Sequence, residues 1–98
     1  MDQAAFQREF GRRLRRKRQM MGWSQRELAQ RVGMPQGQLS RIERGDFQLI
    51  QLWRVRQLLE ALRTSPDFLF GYSDDPGEVP LSDCIGAAPS LVWRLLAP

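Results

Sequence analysis

A chain of 98 residues with 42% hydrophobic content suits one small folded domain with an appended tail. The absence of histidine and the single cysteine, Cys84, argue against an internal disulfide, a cysteine-rich zinc site and histidine-dependent acid–base catalysis. The net charge of +4 is unevenly placed: residues 1–45 hold 11 Lys/Arg against 4 Asp/Glu, a net +7, and residues 46–98 hold 4 against 7, a net −3. A polyanion-binding face is therefore expected on the first half.

The elements read as helices throughout. Phe6, Phe10 and Leu14 recur at i, i+4 and i+8, with Met21 further along the same side, which predicts a first helix over 3–21 stopped by Gly22. Lys17 and Arg18 interrupt this stripe where apolar side chains are expected, so at least one must lie along the core edge. Ser24 and Glu27 form a capping-box pattern for a second helix with Leu28 and Val32 as its apolar pair and Gly33 as its stop. Met34-Pro35 lead into a third helix, with Pro35 suited to its first turn, Leu39 and Ile42 on its buried edge and Gly45 closing it.

Leu52, Val55, Leu58, Leu59 and Leu62 mark a fourth helix of about 12 residues. Ser65 as cap, Pro66 in the first turn and Asp67 at the positive end begin a short fifth helix anchored by Phe68 and Leu69 and ended by Gly71. With no strand-like alternation, the chain is expected to be all-α. Residues 73–80 read as a linker by composition, and residues 81–98 turn apolar again, with Gly86 and Pro89 preventing one continuous helix. Cys84 fits a small buried hydrophobe. No apolar run approaches the length of a membrane span, and no signal-type segment follows the basic start, so a cytoplasmic protein without membrane contact is expected.

Two short helices joined by a tight glycine turn are the helix-turn-helix pattern. The stretch Gly22-Trp23-Ser24-Gln25, Leu28-Ala29, Val32-Gly33 and Leu39-Ser40-Arg41-Ile42-Glu43-Arg44-Gly45 resembles the phage-repressor and Cro family of DNA-binding regulators, over roughly residues 6–71. The resemblance implies a five-helix DNA-binding domain, here over 1–72; composition adds a linker over 73–80 and a short apolar extension over 81–98 that could serve dimerisation. The resemblance also implies that the third helix enters the major groove of double-stranded DNA.

Site residues follow on that basis. Gln36 matches a glutamine position that contacts adenine in several members, and a glutamine amide can pair bidentately with adenine as an arginine fork can with guanine. Gln36, Gly37, Gln38, Ser40 and Arg41 form the candidate base-reading set, with Arg41 as guanine reader and Gly37 allowing close backbone approach. Gln25 matches a phosphate-bonding position at a helix start; Arg26 and Arg44 are further phosphate candidates. Arg18 and Glu43 occupy the positions of an ion pair tying the first helix to the third. Arg12, Arg13, Arg15, Arg16 and Lys17 spread around the first helix, so most of them are expected in solvent, adding to the long-range field. Three departures stand out: Asp46-Phe47-Gln48-Leu49-Ile50 lacks the proline common after the closing glycine, Lys17 replaces a usual leucine, and the tail has no counterpart.

The leading reading is a dimeric, sequence-specific transcription regulator, a repressor. The alternatives are an antitoxin or controller protein autoregulating its operon, with a toxin as partner, and a protein-interaction adaptor reusing the fold. An enzyme is not expected, because Ser40 and Ser65 lack a histidine base and there is no glycine-rich phosphate loop. No cofactor or metal is implied. The apolar tail needs a cover, either its own domain or a second copy near the fourth and fifth helices; the second copy is favoured here, because the acidic linker could carry the segment away from the basic face.

Overall fold

The computed structural model describes residues 2–77, which form five helices: α1 Gln3–Met20, α2 Gln25–Val32, α3 Gln36–Glu43, α4 Leu52–Leu62 and α5 Pro66–Phe70. The expectations for Cys84, for linker residues 78–80 and for the apolar extension 81–98 fall outside the described residues.

Local chemistry sets most boundaries. Asp2 caps α1 by accepting from the Ala5 amide at 2.7 Å. The Ser24 hydroxyl accepts from the Glu27 amide at 3.1 Å while the Glu27 carboxylate reaches back to the Ser24 amide, a closed capping box. Ser65 caps α5 by accepting from the Phe68 amide at 3.2 Å. Gly33 ends α2 at φ 71°, in the left-handed region where a Cβ would be strained.

Two expectations need correction. Pro35 precedes α3 as its N-cap, at ψ 139°, instead of standing in the first turn: its extended backbone turns the chain into the helix, and its carbonyl accepts from Gln38 and Leu39. Leu52, counted with the apolar stripe that marks the fourth helix, stands outside the core: it is 84% exposed at the first position of α4, whereas Leu58 and Leu62 are buried. The end of α4 has no glycine either. Arg63 takes the left-handed conformation at φ 51°, and the chain passes through Thr64 and Ser65 to Pro66, which cannot continue a helix.

α1 packs against α3 and α5, and α2 against α3 and α4. The core joins Phe10 and Leu14 of α1 to Leu28, Ala29 and Val32 of α2, Leu39 and Ile42 of α3, Leu58 and Leu62 of α4, and Phe68 and Leu69 of α5. Lys17 and Arg18 are both buried, so both cations that break the α1 stripe lie inside the fold. Gly11 marks the closest approach of α1 to α3: a Cβ there would stand 2.3 Å from the Ile42 carbonyl oxygen and 2.6 Å from that of Glu43.

Arg13 ties the end of the described chain to α1. Its Nη1 donates to the carbonyls of Phe68 at 2.9 Å and Ser73 at 2.8 Å, and its Nη2 to Asp74 at 3.0 Å. Its guanidinium also lies over the Phe68 ring. Ser73 and Asp74, linker residues by composition, are thereby held against the first helix.

Glu9 orients this arginine. Its Oε1 accepts from Arg12 Nη2 at 2.6 Å and from Arg13 Nε at 2.7 Å, and these bonds hold its carboxyl at about 2 instead of the ordinary 4.5. A carboxyl depressed on folding stabilises above its unfolded value and loses that contribution as pH falls through the folded one. The Glu9 contribution is thus complete above about pH 4.5 and lost between there and about 2. Glu9→Gln should flatten that part of the acid-stability profile, followed by far-ultraviolet circular dichroism; a variant keeping the wild-type acid limb would contradict the assignment.

Candidate nucleic-acid interface

α3 divides into two faces. Leu39, Ile42 and Glu43 are buried, whereas Gln36, Gly37, Arg41 and Arg44 are exposed and Gln38 and Ser40 half-buried. The apolar edge fixes the helix on α1 and α2, and the opposite side presents amide, hydroxyl and guanidinium groups. Pro35 provides no side-chain cap. With the Gln38 N–H bonded to the Pro35 carbonyl, the first-turn N–H groups of Gln36 and Gly37 are the ones that could meet an acceptor.

Gly37 has open space over it: a Cβ there would meet nothing within 4 Å. Nothing inside the domain therefore requires glycine at this helical position, although glycine costs about 1 kcal/mol relative to alanine in a helix. Gln38 and Arg41 line an open groove together with Gln7 of α1 and Asp46, Gln48 and Leu49 of the loop after α3. Gln7 was not singled out in sequence, and Asp46 and Gln48 only as part of a loop that lacks a proline, because only the packing of α1 beside α3 and the path of the loop bring them to this edge.

Beneath the face lies a polar clasp. Arg18 Nε stands 2.7 Å from Glu43 Oε2 and its Nη2 3.0 Å from Glu43 Oε1, a bidentate pair whose side chains are 10% and 1% exposed. The remaining Arg18 nitrogen donates to the Trp23 carbonyl at 2.7 Å, so one guanidinium joins α1, the entry to α2 and the end of α3. Arg31 lies 4.1 Å over the Trp23 ring and covers this corner from outside.

Gln25, half-buried, donates from Nε2 to Glu43 Oε1 at 3.1 Å. That amide nitrogen carries two protons, and the bond to Glu43 uses one. The clasp thus orients the first side chain of α2. Arg26 is exposed on the first turn of the same helix, and Arg44 is exposed as the residue that ends α3.

Residues 9–69 match the family model described as a helix-turn-helix domain. The chain belongs to this helix-turn-helix family. Its α2, the Gly33-Met34-Pro35 turn and α3 are the unit that gives the family its name, and the family is one of DNA-binding domains. No curated protein matches the chain. Among the described residues of this helix-turn-helix protein, no group of His, Cys, Asp and Glu could hold a metal ion, and no helix is long and apolar enough to cross a membrane.

Proposed function

We propose that the protein is a sequence-specific transcription regulator of the phage-repressor and Cro type, working in the cytoplasm as a dimeric repressor. In this reading α3 lies in the major groove of operator DNA. Gln36, Gly37, Gln38, Ser40 and Arg41 face base edges. Gln25, Arg26 and Arg44 contact phosphates on either side. The observation that carries the reading is the outer side of α3: an uncapped helix start bearing glutamine and arginine, with open space above a glycine that the fold itself does not need.

Each part has a physical reason. Glutamine and arginine have the donor–acceptor geometry to read adenine and guanine. The start of α2 offers phosphate the positive end of a helix beside an amide that Glu43 already orients. One domain spans too few base pairs for strong discrimination, so two copies on half-sites about one helical turn apart are required. An adaptor reusing the fold would have no need of this polar, basic and open helix start.

Binding to a selected operator duplex, followed by fluorescence anisotropy, tests the assignment. Gln36→Ala and Arg41→Ala should each weaken binding by about 1–3 kcal/mol and relax the preference at one base position. Gln25→Ala should weaken all duplexes more evenly. Wild-type affinity and specificity in both the Gln36 and Arg41 variants would show that the reading face has been misplaced.

A further inference from the structure

Leu49, Leu52 and Trp53 form an uncovered apolar face among the described residues. The exposed side of α4 runs through Leu52, Trp53, Arg56 and Glu60, neighbours on one helical face, and its first half is apolar. Leu49, in the loop before it, is 93% exposed, Leu52 84% and Trp53 63%. Residues 46–53 carry one acid, Asp46, and no cation. This rim is therefore suited to an apolar contact and not to phosphate, although Leu49 borders the groove that holds Gln38 and Arg41.

The sequence holds a matching segment. From Leu81 onward it carries only two charged side chains, Asp83 and Arg94, with Ile85 and an apolar cluster at 91–96. We infer that residues 81–98 seat on the Leu49, Leu52 and Trp53 face of their own chain, and not on the second copy that the composition of the linker favoured, because Ser73, Asp74 and Gly77 lie against α1 and the end of α4. This goes beyond the DNA-binding reading and stands without it.

The point where the described chain ends makes the seat reachable. A Cβ on Gly77 would stand 2.5 Å from the Arg63 carbonyl oxygen, so the backbone lies directly on the C-terminal end of α4. Arg13 holds Ser73 and Asp74 just before it. The 11 residues of α4 span roughly 16 Å. Extended chain advances about 3.3 Å per residue, so Ile85, eight residues past Gly77, reaches the far end with slack, and residues 91–96 more so. A tether this short sets an effective concentration in the millimolar range, far above a second copy at micromolar concentration.

Cys84, the only cysteine, allows a direct test on the full chain. A nitroxide attached there should broaden amide resonances by proximity, most strongly at residues 49–56. The pattern should persist when the labelled, isotope-enriched chain is diluted tenfold into unlabelled copies. Leu52→Glu combined with Trp53→Glu should abolish the broadening while resonances of the core helices stay in place. Weak broadening without a maximum at 49–56 would overturn the inference. So would a pattern lost on dilution and regained by mixing a spin-labelled chain with an enriched one, which would assign the seat to a second copy. Persistence of the pattern in the doubly substituted chain would overturn it as well.

Discussion

Arg18→Ala and Glu43→Ala are each expected to destabilise the domain by about 3–5 kcal/mol. The pair is bidentate, and the Glu43 side chain is 1% exposed. Removing Arg18 leaves that carboxylate in the interior without its bidentate partner, with the Gln25 amide still donating to it. Removing Glu43 leaves the Arg18 guanidinium, 10% exposed, with the Trp23 carbonyl. In both cases the penalty is dominated by the stranded charge, not by the lost bond. Folded domains hold only about 0.05–0.15 kcal/mol per residue, so either variant would lose much of its stability.

Arg18→Lys should fall between wild type and alanine, because an ammonium cannot make the two parallel bonds of the fork. The apolar double variant Arg18→Met with Glu43→Leu should be more stable than either alanine variant, since no buried charge remains unpaired. Urea unfolding of the set provides the comparison. Single alanine variants within about 0.5 kcal/mol of wild type, the range of ordinary surface substitutions, would show that the pair is not the clasp between α1 and α3.

Gly11→Ala should destabilise the domain by about 1–3 kcal/mol, even though alanine is the better helix former by about 1 kcal/mol. The new Cβ would meet the carbonyl oxygens of Ile42 and Glu43 at 2.3 and 2.6 Å. These are backbone atoms that cannot rotate away, so α3 must shift on α1. Such a shift moves Gln38 and Arg41 relative to Gln7 and Gln48 across the groove, and DNA affinity should fall with stability.

Gly37→Ala is the matched control within the same fold. A Cβ there meets nothing within 4 Å, so this variant should be as stable as wild type or more so. If the recognition-helix backbone approaches DNA at this point, the same variant should nonetheless bind the operator more weakly. Equal urea midpoints for the two alanine variants would contradict the close crossing at Gly11.

Features set by local chemistry were legible in the sequence. Ser24 with Glu27, Gly33, Ser65 with Pro66 and Gly71 act within one turn of themselves, so sequence alone places those helix ends. Arg63 ends α4 without a glycine, and the rest of the fold must hold it in the left-handed conformation. Leu52 continues an apolar pattern but stands at the first position of its helix, where the neighbouring helices do not reach. Periodicity carries no information about that reach.

Gly11 was not singled out in the sequence, because a close crossing of two helices is a tertiary property. At the interface, the outward and buried sides of α3 follow from Leu39 and Ile42. The positions of Arg18 and Glu43 came from resemblance, since two cations in an apolar stripe name no partner. The bond from Gln25 to Glu43, the tie of Arg13 to Ser73 and Asp74, and the company of Gln7 and Gln48 beside Arg41 depend on distant segments meeting.

Selection of binding sites from random double-stranded DNA by the full chain, with affinities of the winning duplexes measured across a salt series, tests the central claim most directly. An enriched motif of two related half-sites about one helical turn apart is expected, bound with an affinity that falls linearly on a logarithmic salt scale. A pool that yields no motif, or binding indifferent to salt, would contradict it.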